Sequence, residues 1–252
     1  MPIDKAETIV LRRRDFRETS LIVDFYSRER GKFSGLLKGI RADPSKFASN
    51  LELFSHNDII FYPKADSSLY LVSQCDIKNN FPSIRQDLSR VGMASFMVEL
   101  LDEIVPQEDK NEEIFRLLLE SLAELEHTLS PGKIAMIFKI KILALSGFKP
   151  HFDSCLSCAG RIMDNAKFSL SLGGLLCPGC FAKDPKARSI FKGTVASILY
   201  IERNEFKNTL NLGLNPQIKK ELDMVLNSFL NFHLEKELKT QKVINKIALV
   251  SA

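Results

Sequence analysis

Residues 153–180 read DSCLSCAGRIMDNAKFSLSLGGLLCPGC and hold four of the five cysteines as two C-x-x-C pairs, Cys155/Cys158 and Cys177/Cys180. A C-x-x-C turn aims two thiolates at one point, and two such turns complete a tetrahedral four-sulfur shell around zinc. The 18 intervening residues fall inside the spacing window of a zinc site. KFSLSLGGLL reads as a hairpin that folds the second pair back onto the first. The rival reading is thiol–disulfide exchange through CPGC, which ordinarily needs one pair with a lowered pKa at a helix N-terminus. Catalytic zinc fits less well, because a closed four-sulfur shell leaves no position open for water or substrate. His151, four residues before Cys155, is an alternative to one of the four ligands, although a lone loop histidine is more often unrelated to a metal. The expectation is one structural zinc held by the four cysteines. Cys75, on a predicted strand, is read as a buried structural thiol.

The longest apolar run, residues 134–148, is interrupted by Lys139 and Lys141 and is too short to span a bilayer. The N-terminus lacks the apolar core of a secretory signal. The expected location is the cytoplasm, where structural disulfides are rare. The net charge of +4 is unevenly placed. Residues 1–50 carry 11 Lys/Arg against 7 Asp/Glu, residues 81–150 carry 8 against 11, and residues 151–252 carry 14 against 9. Basic ends flank an acidic middle, which suits a polyanionic partner or simply a solvated surface.

The first 80 residues alternate with period two. Leu21, Val23 and Phe25 oppose Ile22, Asp24 and Tyr26, and further strands are predicted at 8–13, 32–40, 53–62 and 69–77. Glycines at 31, 35 and 39 suit the bending of a small closed barrel. From Ser83 the period becomes helical, with predicted helices from residue 88, at 111–129, from Ser130-Pro131 to about 146, at 188–202 and at 216–238. The predicted class is α+β: an N-terminal five-stranded OB-fold barrel (1–80), a helical bundle (81–150), an inserted four-cysteine zinc module (151–186), and C-terminal helices (187–252) completing the bundle.

No phosphate-binding glycine loop, H-E-x-x-H or G-x-S-x-G occurs, and the four histidines lie in separate segments. A binding protein without catalysis is the default. OB barrels bind single strands on a basic face with stacking aromatics. Arg12, Arg14, Arg17, Lys32, Lys38, Arg41 and Lys46, with Arg13, are interleaved here with Phe16, Phe33 and Phe47. They are the candidate DNA contacts; the alternative is that the phenylalanines are core and the cations solvated. Two other classes stay open: a zinc-stapled interaction scaffold and a dithiol redox protein.

The segments YSRERGKFSGLLKGIR, LSGFKPHFDSCLSCAG, FSLSLGGLLCPGC and FLNFHLEKELKTQKVI resemble, in that order, the bacterial RecO family of recombination proteins. The most specific parts are Gly147 and Pro150 before the first cysteine pair, and Gly173-Gly174 before the second. Gly160 stands one place later than the family's C-x-x-C-G, and Lys239-Thr240 stands where Lys-Ser is usual. The resemblance implies a recombination mediator that binds single- and double-stranded DNA, anneals complementary strands and helps load recombinase. Its implied partners are RecR and the acidic, apolar C-terminal tail of the single-strand-binding protein. Such a tail needs an apolar pocket rimmed by cations. Lys133, Lys139 and Lys141 beside Ile137, Phe138 and Ile142, with Arg116 on the preceding helix, are the candidates; the alternative is bundle core with solvated lysines.

Overall fold

The computed structural model describes residues 3–43, 47, 51–64, 67–162 and 165–250. The chain divides into two compact units, Met1–Ala135 and Met136–Ala252.

In the first unit the period-two stretches become β1 (Asp4–Phe16), β2 (Ser20–Ser27), β3 (Gly31–Leu37), β4 (His56–Lys64) and β5 (Ser67–Asn79). They close in the order β1-β2-β3-β5-β4, with β1 returning onto β4. Only β3 and β5 run parallel, pairing Ser34 with Leu69 and Leu36 with Leu71. This is the five-stranded OB arrangement. Alternation sends Leu21, Val23 and Phe25 inward, where they join Phe33, Phe61 and Tyr70. The Phe33 ring lies 5.0 Å from Phe61 and 5.5 Å from Tyr70. Gly35 faces this packed interior. A Cβ there would lie 2.6 Å from Val72 Cγ2 and 2.8 Å from the Phe25 ring, so the strand can carry no side chain at that point. Cys75 is buried as expected, and burial pushes its thiol up to about 12.

The predicted strand at 53–62 begins later, at His56. Leu51 and Phe54 adopt left-handed φ values of 47° and 72°, and Val10 exchanges backbone hydrogen bonds of 3.0 Å with Phe54 and Ser55. Leu51 and Phe54 are nonetheless buried, so their hydrophobicity mimics a strand while serving a turn. The unit continues with α1 (Pro82–Arg85), α2 (Leu88–Ile104) and α3 (Glu112–Leu125). Asp87 caps α2 by accepting from the Arg90 N–H, and Asn111 caps α3 by accepting from Glu113 and Ile114. The expected stripe on α3, from Ile114 to Leu125, is buried.

The boundary between the units falls within α4 (Pro131–Leu145). Gly147, at φ +72°, ends α4 as expected, and the Phe148 N–H returns to the Leu143 carbonyl at 2.9 Å. The second unit carries a small sheet of β6 (Lys167–Ser169), β7 (Gly174–Leu176) and β8 (Arg188–Ser189), ordered β7-β6-β8. It also holds α5 (Lys192–Arg203), α6 (Phe206–Thr209), α7 (Pro216–Leu234) and α8 (Lys239–Val250). The helix predicted from Arg188 starts instead at Lys192, because Arg188 and Ser189 pair with Phe168 and Lys167. The helix predicted to 238 stops at Leu234, where Glu235 turns left-handed at φ 54°. Among the described residues no helix is long and apolar enough to cross a membrane.

Candidate functional site

Backbone hydrogen bonds tighten both C-x-x-C turns. The Ala159 N–H donates to the Cys155 carbonyl at 2.8 Å, Cys155 N–H to Gly160 at 2.9 Å, and Cys180 N–H to Cys177 at 2.9 Å. The expected hairpin forms from β6 and β7, pairing Lys167 with Leu176 and Ser169 with Gly174. His151 clamps it: its N–H donates to the Gly173 carbonyl at 2.8 Å, and its carbonyl accepts from Leu175 at 3.0 Å. A Cβ at Gly174 would lie 2.9 Å from that carbonyl, which accounts for one glycine of the pair. Leu156 N–H then donates to the Leu175 carbonyl at 2.8 Å and ties the first turn to the second strand.

The result is convergence. The sulfurs of Cys155, Cys158, Cys177 and Cys180 all lie within 4.8 Å of one another. Cys158 and Cys177 are 3.7 Å apart. A tetrahedral shell with metal–sulfur bonds of about 2.3 Å requires sulfur pairs about 3.8 Å apart, so the four residues fit. Cys177 N–H also points at Cys155 Sγ, at 3.4 Å. Burial works to raise the Cys155 thiol, but the backbone N–H groups of Cys177, Cys158 and Ser157 outweigh it and bring it down to about 6. Burial and the neighbouring thiols push Cys177 up to about 12. Four converging thiolates repel one another unless a cation sits between them. The cluster could hold a metal ion. His151 stands outside it, with its Nε2 2.8 Å from Ser154 Oγ.

The barrel cations divide into two groups. Arg12, Arg14 and Arg17 lie on the far half of β1 and its turn, where residues 12–15 and 17–19 are exposed. Arg14 pairs with Asp24 at 2.8 Å, and Arg12 with Asp102 at 3.1 Å. The Arg17 guanidinium lies 5.3 Å from the Phe16 ring centre. Arg41 donates to the Arg17 carbonyl at 3.2 Å and through its backbone N–H to Thr19 at 2.9 Å. The turn carrying exposed Lys38 and Arg41 therefore docks beside the β1–β2 turn. Exposed Arg13 makes no ion pair among the described residues. Lys32 is different: it is buried, and its ammonium donates to the Asp102 carbonyl and lies 3.1 Å from the Asp102 carboxylate. It ties β3 to α2 and meets a phosphate only by leaving that tie. Lys46 lies outside the described residues. Phe33 and Phe47 are barrel core, so of the three interleaved phenylalanines only Phe16 is open to a partner.

The tail candidates also separate. Arg116 is exposed on α3, 3.9 Å from Glu113, and Lys133 is half-buried in the first turn of α4, both in the first unit. Lys139 belongs to the second unit, where its Nζ donates to Asn227 Oδ1 at 2.7 Å and lies 3.6 Å from Asp223. It is 3% exposed, and burial lowers its pKa despite Asp223, so it offers no rim charge. Ile137, Phe138 and Ile142 are fully buried core. Sequence reasoning missed the carboxylates that hold these cations. Asp102 serves both Arg12 and Lys32 from α2, and Asp24 serves Arg14 and the Ser34 hydroxyl from β2. For Asp24 a cross-strand pattern carries some signal; for Asp102 no local spacing does.

Comparison with known proteins covers nearly the whole chain. Residues 1–81 match the family described as Recombination protein O N terminal, and residues 85–242 match Recombination protein O C terminal. A protein of Moorella thermoacetica named DNA repair protein RecO is 31% identical, over 96% of this chain and 91% of its own length. Relatives of the same name from Pelotomaculum thermopropionicum and Syntrophus aciditrophicus are each 30% identical, over 100% and 96% of this chain and 97% and 95% of their own. Matched over residues 1–81 and 85–242 by the two halves of the family, and by relatives of nearly equal length, the chain belongs to the RecO family of DNA repair proteins.

Proposed function

We propose that this protein is a non-catalytic recombination mediator that binds single- and double-stranded DNA, anneals complementary strands and helps load recombinase in recombinational repair. The observation that carries the reading is the exposed arginine run on β1, with the Lys38–Arg41 turn docked beside it. Clustered cations on one edge neutralise phosphates without reading sequence. The contacts are Arg12, Arg14, Arg17, Lys38 and Arg41, with Lys46 assigned from sequence and Lys32 in support behind them. Replacing Lys38 and Arg41 together by Ala should weaken binding to unrelated sequences alike. It should also flatten the plot of log affinity against log salt by about 2 units, at about 0.9 per phosphate contact. An unchanged slope would place the DNA elsewhere.

The four cysteines hold one structural zinc in this reading, since thiolate sets of four at tetrahedral spacing favour that metal. The functional segments are 1–80, 81–150, 151–186 and 187–252, and the protein works in the cytoplasm at the nucleoid. Its partners are RecR and the tail of the single-strand-binding protein, received on a rim that includes Arg116 and Lys133. A labelled tail peptide should bind Arg116→Glu/Lys133→Glu protein roughly tenfold more weakly, about 1.4 kcal/mol for two rim charges reversed. Undiminished affinity in the folded variant sinks the assignment.

A further inference from the structure

Within the second unit a pocket of about 350 Å³ opens between the β6–β8 side of the small sheet and one face of α7. That volume lies at the lower end of small-ligand sites. Met224, Ser228 and Phe232 line it at helical intervals of four, so α7 presents one continuous wall. Phe232 is 49% exposed and Met224 44%, large apolar surface left open. Phe168 lines the opposite side as a floor, only 6% exposed and itself backed by Phe152, with ring centres 5.5 Å apart and planes at 15°. Lys186 and Arg188 complete the lining from the segment that enters and forms β8. The one carboxylate present, Asp184, is already engaged. It accepts from the Ser169 and Ser171 hydroxyls at 2.6 and 3.0 Å and from the Lys186 N–H at 2.9 Å. Arg188 is exposed and makes no ion pair among the described residues, and the hydroxyls of Ser189 and Ser228 have no hydrogen-bond partner there.

From these residues we infer a subsite for single-stranded nucleic acid, separate from the barrel contacts. One unpaired base stacks on the exposed Phe232 above the floor that Phe168 forms, its polar edge meets Ser189 and Ser228, and the flanking phosphates meet Arg188 and Lys186. Two aromatic rings and two unengaged hydroxyls suit a flat heterocycle with polar edges better than an aliphatic side chain, and the adjoining cations suit its backbone. A duplex cannot use the pocket, because its bases are stacked on one another. The subsite therefore gives the protein a preference for single strands that phosphate contacts on the barrel do not supply.

The test uses the full chain with labelled oligo-dT, a labelled duplex of mixed sequence, and an acidic peptide ending in an apolar residue. Phe232→Ala should weaken oligo-dT binding roughly 5- to 150-fold, the range of one base–aromatic stack, and leave duplex affinity unchanged. Phe232→Leu, which keeps the apolar bulk without the ring, should lose most of the same factor. Arg188→Ala should weaken oligo-dT and lower its salt slope by about 0.7. Wild-type protein should discriminate against an oligomer with abasic sites, and Phe232→Ala should not. Equal losses for oligo-dT and duplex would overturn the inference, as would a fall in peptide affinity with oligo-dT binding intact. The barrel reading fails separately: Lys38→Ala/Arg41→Ala would then bind both strand forms normally while Phe232→Ala still discriminates.

Discussion

Cys177→Ser protein is expected to come off purification without its zinc and with its second unit destabilised by the largest margin of any single substitution considered. The four sulfurs are drawn together by the two turns and the β6–β7 hairpin, yet few apolar side chains lie beneath them. The local cluster consists of Cys155, Leu176 and Ala187, with Ile162 and Phe181 half-buried beside it. With a zinc bound as proposed, most of what holds the module shut would be the metal itself. Structural zinc binding is worth on the order of 10–16 kcal/mol in small zinc domains near pH 7, and that free energy is shared with folding. Serine keeps the volume but supplies a poor ligand for zinc. Metal analysis should fall from one zinc per chain to near zero, and limited proteolysis should cut first between residues 155 and 190. DNA binding by the barrel should persist. A variant that keeps stoichiometric zinc, or a freshly reduced wild type with none, ends this account.

A comparably direct result is expected at Glu7, for a different reason. Its carboxylate, 11% exposed on β1, meets Lys78 at 2.6 Å, His56 Nε2 at 2.8 Å and Arg28 at 2.5 Å. One anion gathers β1, β4, β5 and the Arg28 turn, and the buried Arg28 Nε, 3.7 Å from Glu112, has no hydrogen-bond partner of its own among the described residues. Breaking a buried ion pair from one side costs about 3–5 kcal/mol, and the partial exposure of Lys78 and Arg28 favours the lower figure. Glu7→Ala should therefore lose about 3 kcal/mol in denaturant unfolding of the first unit. The pH dependence follows from the same contacts. Burial works to raise the Glu7 pKa, but hydrogen bonds from Lys78 and His56 and the charge of Arg28 pull it below its usual 4.5. Burial chiefly lowers His56 from 6.5, against the pull of Glu7. Both folded-state values lie below the unfolded ones, so both contributions are complete at neutral pH and lost on acidification. Stability should begin to fall below pH 6.5 through His56 and fall further below 4.5 through Glu7; the second loss should vanish in Glu7→Ala. Flat stability between about pH 7 and 5 would show that His56 is not held neutral.

Much of this was legible in the sequence because the relevant constraints are local. The cysteine spacing announces convergence, since two turns and one hairpin are enough to create it. Strand alternation at Leu21–Phe25 and the stripe on α3 record which face meets the core. The start of the strand predicted at 53–62 misled because Phe54, buried in a left-handed turn, is as hydrophobic as a strand residue. Arg188 misled because a two-residue strand is shorter than any pattern can reveal. Lys32 and Lys139 show a different gap: a lysine carries the same letter whether solvated or buried, and only tertiary partners such as Asp102 and Asn227 decide which. The pocket on α7 was hidden similarly. Met224, Ser228 and Phe232 repeat at a helical interval, but the opposing wall comes from a sheet some 40 residues earlier.

The seam between β1 and β4 has a consequence for how the protein comes into being. A closed barrel has no free strand edge, and here closure waits on Asp4 meeting Phe61 and Ser34 meeting Leu69. The β1–β2 and β2–β3 hairpins can form from neighbouring sequence, whereas the seam pays the entropy of closing a long loop before any of its bonds form. Until β4 arrives, β1 offers a row of unpaired amides and carbonyls to whatever strand is nearby, in this chain or another. During synthesis the residues that precede β4 are therefore a sticky half-barrel, and the arginines at the far end of β1 set like charges against one another on any two copies that meet there.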